Sequence, residues 1–339
     1  MNKITTILAS MFVACVAIDS DAAPGAFHDA VTADAPVLHY QLNEPTGPAI
    51  NYGSLGSDFD ATYFGTPARA VRTSSGDGGV SFDGVDDYLE SLMAAPMILA
   101  GNPRFTAEAV VRVPPAGIVS NYAPFLHWGD STNDATMKSA YFSFHFNEPS
   151  VFYAGFYNGG LQTETPVAPG DWYHVVWVRT GGTPANQGST FYVNGQPVAL
   201  IDDPVLGFNS SAPDILPTAF RVNRAQDFTR YFVGTLDEVA LYDYELDAEA
   251  VATHYAALDV CPAQTCLDAD GVCKDCALPI TSGATPTASD ALAVLNASVG
   301  LRECALCVCD VDASGAVVAL DALLVLRAAV GEPIALTCS

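Results

Sequence analysis

Lysine is nearly absent from this 339-residue chain: Lys3, Lys138 and Lys274 are its three copies. Lysine plus arginine total 13 against 38 acids, a formal net charge of −25. Such a surface repels phosphate backbones and anionic headgroups, which excludes charge-driven binding to nucleic acid or to an anionic membrane. It suits calcium, a cation that takes oxygen ligands, and it also suits plain solubility. Long apolar runs are missing after the first twenty residues, so no later segment reads as a membrane span. Cysteine is missing between Cys15 and Cys261, so the middle of the chain must be held by a core rather than by disulfides. No GxSxG elbow, HExxH helix or Gly-rich phosphate loop occurs. The six histidines, His28, His39, His127, His145, His174 and His254, show no metal-ligand spacing. What is present is 50% hydrophobic residues spread along the chain, enough for about two folded domains.

The N-terminus reads as a signal peptide over residues 1–23. Lys3 supplies the positive charge, Ile4 to Ile18 run uncharged and mostly apolar for 15 residues, and Ala22 and Ala23 suit cleavage. The alternative is a lipid anchor through Cys15, since Phe12-Val13-Ala14-Cys15 loosely resembles a lipobox. Either way the protein is expected outside the cytoplasm, secreted or tethered. Eight further cysteines, Cys261, Cys266, Cys273, Cys276, Cys304, Cys307, Cys309 and Cys338, crowd the last 79 residues. An exported segment this short and cysteine-dense is expected to be stapled by disulfides, with zinc on the Cys273–Cys276 and Cys304–Cys307 CxxC pairs as the alternative and the pairing left open by sequence.

Residues 25–258 read as all-β. Short apolar runs alternate with Gly, Pro, Asn and Asp clusters, the pattern of a sandwich of many short strands. Phe142, Phe144 and Phe146 alternate with Tyr141, Ser143, His145 and Asn147, and Val151 to Tyr157 follows as a neighbouring strand. Asn194-Gly195 marks a two-residue hairpin turn, and Asp247 is the expected N-cap of a helix running to Leu258.

Five blocks in order carry a resemblance. Ser81 to Glu90 (SFDGVDDYLE), Phe105 to Arg112, Asp171 to Val175, Tyr192 to Gly195, and Tyr231 to Tyr242 resemble the strands of laminin-G-like domains. The family's usual Trp in the second block is Val110 here. The resemblance covers most of 34–257 and implies a concanavalin-A-like antiparallel β-sandwich, or jelly roll. Members bind glycans or surface ligands, often with calcium. Glucanases of this fold carry Glu-x-Asp-x-x-Glu on one strand, and no such triplet occurs in this chain. No catalytic residue is therefore assigned.

Two sites are expected on this domain. Asp83, Asp86 and Asp87 lie close together, with Asp237 and Glu238 expected nearby if their strands pair. They read either as a calcium site at Asp83 and Asp87 or as turn chemistry around Asp83-Gly84. Tyr141, His145, Asn147, Tyr153 and Tyr157 share one parity on two adjacent strands, with the phenylalanines on the other. Exposed, these rings would form a carbohydrate platform; buried, they simply pack.

After a cysteine-rich linker, 259–275, the segment 276–339 repeats itself. Residues 288–300 align with 319–331 at nine of thirteen positions. Each copy reads as a helix. Leu292, Leu295 and Val299, and equally Leu323, Leu326 and Val330, form the faces expected to pack together. Gly300 and Gly331 stand at the C-terminal caps. Asp310, Asp312, Ser314, Ala316 and Asp321 fit positions 1, 3, 5, 7 and 12 of an EF-hand-like calcium loop, with Gly315 at the turn. The bland reading is an Asp/Gly turn before a helix. Asp at position 12 and the missing entering helix resemble dockerin, whose duplicated calcium loops dock on cohesins. In the first copy Pro279, Thr281 and Gly283 replace the ligands and only Asp290 survives, so calcium is expected in the second loop alone.

The sequence thus points to an all-β concanavalin-A-like jelly roll followed by a small disulfide-rich, α-helical, dockerin-like module. The expected function is a secreted, non-catalytic binding protein. The jelly roll takes a carbohydrate or surface ligand, and the calcium-dependent tail docks a cohesin-like partner. The alternatives are a structural or adhesive component of an extracellular assembly and, behind it, a polysaccharide-degrading glycoside hydrolase.

Overall fold

The computed structural model describes residues 26–73, 78–113, 123–130, 136–145, 151–182, 188–204, 209, 211–225, 230–258, 265–267, 273–281, 285–302, 304, 306–312, 314–332, 334 and 336. The leader with Cys15, and also Asn147, Cys261 and Cys338, lie outside them. The strands are β1 Leu38–Tyr40, β2 Ala61–Phe64, β3 Ala68–Arg72, β4 Gly78–Asp83, β5 Tyr88–Ala94, β6 Phe105–Arg112, β7 Ala123–Gly129 and β8 Ser139–His145. They continue with β9 Val151–Phe156, β10 Gly159–Thr163, β11 Trp172–Arg179, β12 Ser189–Val193, β13 Gln196–Val198, β14 Leu200–Asp202, β15 Ala219–Val222 and β16 Val233–Tyr242. A first sheet runs β13-β12-β11-β6-β16-β4-β3, with β1 on β16; a second runs β14-β10-β9-β8-β7-β15-β5-β2. All pairs are antiparallel.

The core lies between the two inner faces. Phe142, Phe144, Phe152 and Phe156 enter it from the second sheet, and Phe105, Val111, Trp177, Phe191 and Leu236 from the first. Phe105 meets Trp128 and Trp177 edge-on, with centroids 5.1 and 4.7 Å away. Each such fully buried ring contributes about 1.5–3 kcal/mol, so period-two alternation alone fixes which face turns inward. The hairpin turn is as expected: Asn194 and Gly195 take φ 52° and 72°, a primed turn, and a Cβ added at Gly195 would press on Tyr255 at 3.0 Å.

Two helices cover the outer face of the first sheet: α1 Ala26–Ala33 and α2 Ala248–Ala257. Asp247 caps α2 by accepting from the Ala250 amide. Phe27, Val31, Leu246 and Val251 bury against Val110, Val176, Ala240 and Tyr242.

Beyond a short β17 Thr265–Leu267 and β18 Cys273–Asp275 hairpin, the tail is helical: α3 Ala288–Ser298, α4 Leu306–Cys309 and α5 Ala319–Ala329. Gly300 and Gly331 take φ 72° and 85°, as C-caps require. The faces that pack are not the expected ones. Ala291, Val294, Ala322 and Val325 meet in the centre with Val308 and Val311. Leu292, Leu295 and Val299 are 58%, 42% and 62% exposed, and Leu323, Leu326 and Val330 are 50%, 43% and 71% exposed. The small alanines let α3 and α5 approach closely, and that contact turns the leucines outward. Cys304 is bonded to Cys309, their Cα atoms 6.1 Å apart, and Cys276 is disulfide-bonded too.

Candidate functional site

On the second sheet, register places polar groups on the face opposite the phenylalanines. Glu90 on β5 lies opposite Arg221 on β15, Arg221 opposite His127 on β7, and His127 opposite Tyr141 on β8. Ser143 faces Tyr153 on β9, and Tyr153 faces Gln162 on β10. Arg221 Nε donates to Glu90 Oε2 at 2.7 Å. His127 is fully buried, with Tyr141 edge-on at 4.7 Å. Burial, aided by the Arg221 charge, pushes its pKa down from 6.5 to about 3, so the ring is neutral. Among the described residues neither ring nitrogen of His127 has a hydrogen-bond partner, nor has the Ser143 hydroxyl. Buried polar groups without partners are uncommon and mark a place where a water or ligand belongs.

The structure does bring Tyr141 and Tyr153 together on this face, as their parity predicts. It does not leave them open: they are 3% and 1% exposed, packed with Ala225, and Tyr157 is half-buried beside them. Gly155 and Gly160 leave the space that the Tyr153 ring fills. Rings buried this deeply wall the face and do not offer a stacking platform. His145 has the same register, and Asn147 lies outside the described residues. Glu90, His127 and Arg221 were not grouped in the sequence, because Arg221 meets Glu90 across 131 residues and joins it to His127 only through sheet pairing. Gln162 lay in the local β9–β10 hairpin and was overlooked.

The outer face of the first sheet holds a different arrangement. Glu108 on β6 is fully buried. Its carboxylate accepts from His174 Nε2 at 2.6 Å, Tyr242 Oη at 2.8 Å and His254 Nδ1 at 3.0 Å. His254 reaches on from α2 to Asp34 at 3.0 Å. Burial would raise the Glu108 pKa, but the charge of His254 and hydrogen bonds from both histidines outweigh it and hold the carboxyl well below its usual range. Burial likewise opposes charge on His254, and Glu108 and Asp34 overcome it, raising that pKa. These groups fasten α1 and α2 to the sheet.

The Asp83 cluster is occupied with its own turn. Asp83 Oδ1 accepts from the Val85 amide at 2.8 Å, and Asp87 Oδ1 from the Thr66 amide at 2.7 Å. Asp83, Asp86 and Asp87 do converge, with one oxygen from each within 4.8 Å of the others. Asp237 and Glu238 do not join them, because Val233 is the β16 residue opposite Asp83.

The two tail loops differ. In the first, Asp290 accepts from the Ile280 and Thr281 amides, the Thr281 hydroxyl, and the Thr287 amide and hydroxyl at 2.7–3.0 Å. Although burial opposes it, these bonds lower its pKa to about 2. In the second, Asp310 accepts from the Ser314 and Gly315 amides, and Asp321 from Val311 and Val318. Here three carboxylates converge: Asp310, Asp312 and Asp321 offer oxygens within 4.8 Å of one another, and Gly315 takes φ 86° at the turn. This all-oxygen donor set fits calcium.

No helix among the described residues is long and apolar enough to cross a membrane. No curated protein matches the chain. Among solved structures, a Trypanosoma rangeli sialidase bound to 2,3-difluorosialic acid aligns at 18% identity and TM-score 0.47, over 67% of this chain. This chain therefore spans a third of that sialidase. Domain 4 of an extracellular arabinanase from Geobacillus stearothermophilus, in complex with arabinotriose, aligns at 14% identity and TM-score 0.47, over 65% of this chain and 98% of that one. The binding domain of Paraclostridial Mosquitocidal Protein 1 aligns at 10% identity and TM-score 0.44, over 66% and 52%. At these identities and scores the similarities carry nothing about this chain's ligand. The model of the concanavalin A-like lectin/glucanases superfamily matches residues 83–252, half of the chain. With its two antiparallel sheets around an aromatic core, the chain belongs to the concanavalin A-like lectin/glucanase superfamily.

Proposed function

We propose that this protein is an extracellular, non-catalytic binding protein whose sandwich takes a carbohydrate on the outer face of the second sheet. The observation that carries this reading is the Glu90–Arg221 pair, 32% and 12% exposed, in register with His127, a fully buried imidazole without a hydrogen-bond partner among the described residues that a ligand reaches only by opening the face. Ser143 and Gln162 line the same face. Sugar hydroxyls both donate and accept, so they satisfy imidazole, amide, hydroxyl and guanidinium groups alike. Catalysis is not part of the reading. Most glycoside hydrolases use two carboxylates flanking one bond. Among the described residues, Glu90 is the acid that register puts beside His127 and Arg221, and Arg221 already holds it.

The tail is read as a calcium-dependent docking module, with Asp310, Asp312, Ser314, Ala316 and Asp321 as ligands. Its exposed leucines on α3 and α5 support an apolar partner surface, as a cohesin-like protein would supply. The disulfide at Cys304–Cys309 supports an oxidising compartment. The test is a polysaccharide and glycan array probed with the mature chain, with calcium and with chelator, and with an Arg221→Gln variant. Binding that Arg221→Gln abolishes supports the reading. An array without binding rejects it and favours an adhesive or structural role, while release of sugar from a polymer would make the protein an enzyme.

A further inference from the structure

The first sheet's outer face contains a second cluster, and backbone strain builds it. Against β6, Asp237 lies opposite Val110 and Ala240 opposite Glu108, so three steps on β16 match two on β6. The extra residue is Glu238, at φ 51°, a conformation uncommon for any residue but glycine. Asp237 precedes it on the outer face, so unbroken alternation would send Glu238 into the aromatic core. The bulge turns it outward instead, as bulges beside functional sites do.

What Glu238 meets there is a pair of imidazoles. His39 on β1 lies opposite Ala240, so it shares the outer face. His39 Nε2 is 2.5 Å from Glu238 Oε2, and the two side chains are 0% and 1% exposed. His28 reaches down from α1 and stacks on His39, with centroids 5.2 Å apart and planes 23° apart. Tyr52 stands edge-on to both rings. One ligand atom each from His28, His39 and Glu238 lies within 4.8 Å of the others. The Gln41 side chain hydrogen-bonds to His28 Nδ1 and orients that ring from behind.

We propose that His28, His39 and Glu238 form a binding site for a borderline divalent transition-metal ion such as zinc. Two imidazoles and one carboxylate are the donor set such ions take, whereas calcium prefers oxygen alone. Stacked imidazoles repel when both are protonated, and a metal binds both as neutral ligands. The ion takes the place of the proton shared by His39 and Glu238 and leaves the buried carboxylate compensated. With an ion on His28 Nε2, the Nδ1–H must donate, so the Gln41 amide turns its oxygen toward the ring and takes the acceptor role that holds metal-bound histidines in place. His28 is partly exposed and Tyr52 is 46% exposed, so the cluster opens to solvent on that side for entry and for a further ligand. The assignment is independent of the carbohydrate reading and of the tail loop.

Tag-free mature protein titrated with Co2+ tests it. The expected result is one equivalent bound, with visible d–d absorption, no thiolate charge-transfer band and displacement by Zn2+. His28→Ala removes a partly exposed ligand, and Glu238→Gln keeps the shape of the bulge. Each should weaken Zn2+ binding at least about tenfold while the metal-free circular dichroism is unchanged. Asp310→Asn should bind as wild type. Absence of stoichiometric binding, a thiolate band, or wild-type affinity in both His28→Ala and Glu238→Gln overturns the assignment.

Discussion

Glu108 on the first sheet and His127 on the second are equally buried, each on the outer face of its sheet, yet their surroundings are opposite. Both Glu108 oxygens are taken, by His174, His254 and Tyr242, under a roof made by α1 and α2. Among the described residues the His127 ring nitrogens have no partner, and the ring is kept neutral. His174 itself leaves Nδ1 without one, but its other nitrogen is bonded to a charge. A charge buried among partners belongs to the architecture. A polar group buried with none costs stability unless a water or a ligand satisfies it.

The strongest way to break this comparison is at Glu108. Glu108→Ala strips His174, His254 and Tyr242 of their shared buried acceptor and leaves a cavity, and a loss of about 3 kcal/mol or more in urea unfolding is expected. A loss below about 1 kcal/mol would mean that the network is ornamental. At His127 the sign should reverse. His127→Phe removes a buried unpartnered group, so stability near pH 7 should hold or rise by about 1 kcal/mol while glycan binding disappears.

Acid and alkali sharpen the same contrast. The His127 pKa falls from 6.5 to about 3 on folding, so its contribution is intact above pH 6.5 and is lost as pH drops toward 3. The His254 pKa is raised above 6.5, so its contribution is intact below pH 6.5 and is lost as pH climbs through the folded value. Melting temperature against pH should therefore flatten on the acid side in His127→Phe and on the alkaline side in His254→Gln. Identical profiles in both variants would contradict the two environments.

How much of this could be read from the chain follows from distance along it. Alternation at Phe142 and Phe144, the Asn194-Gly195 turn and the Asp247 cap are local patterns, and they fold as local physics requires. The tyrosine parity was legible too, but burial was not, because Ala225 follows β15 and Gly160, which makes room for the Tyr153 ring, lies on β10. The outer face needed the pairing of β5, β15, β7 and β8, and the His28 cluster needed a contact across 199 residues between His39 and Glu238. In the tail, the 3.6 period marked the leucine stripe of each helix, but the alanine-bearing face forms the interface because it permits the closer approach.

The tail gives the smaller effects. Calcium should raise its melting through the second loop, so Asp310→Asn should abolish the calcium shift. Asp290→Asn should leave that shift intact and cost about 1 kcal/mol of intrinsic stability, the worth of a lost cap. Leu323→Glu on the exposed face should change stability by less than about 0.5 kcal/mol while removing any partner captured through that face. A large loss of stability in Leu323→Glu would show that the face is core after all.

The most direct measurement is glycan binding by mature wild type beside His127→Phe, both verified as folded by near-UV circular dichroism. The account predicts a saccharide bound by wild type and lost in the variant at undiminished stability. Equal binding by the two proteins, or none by wild type, would contradict it.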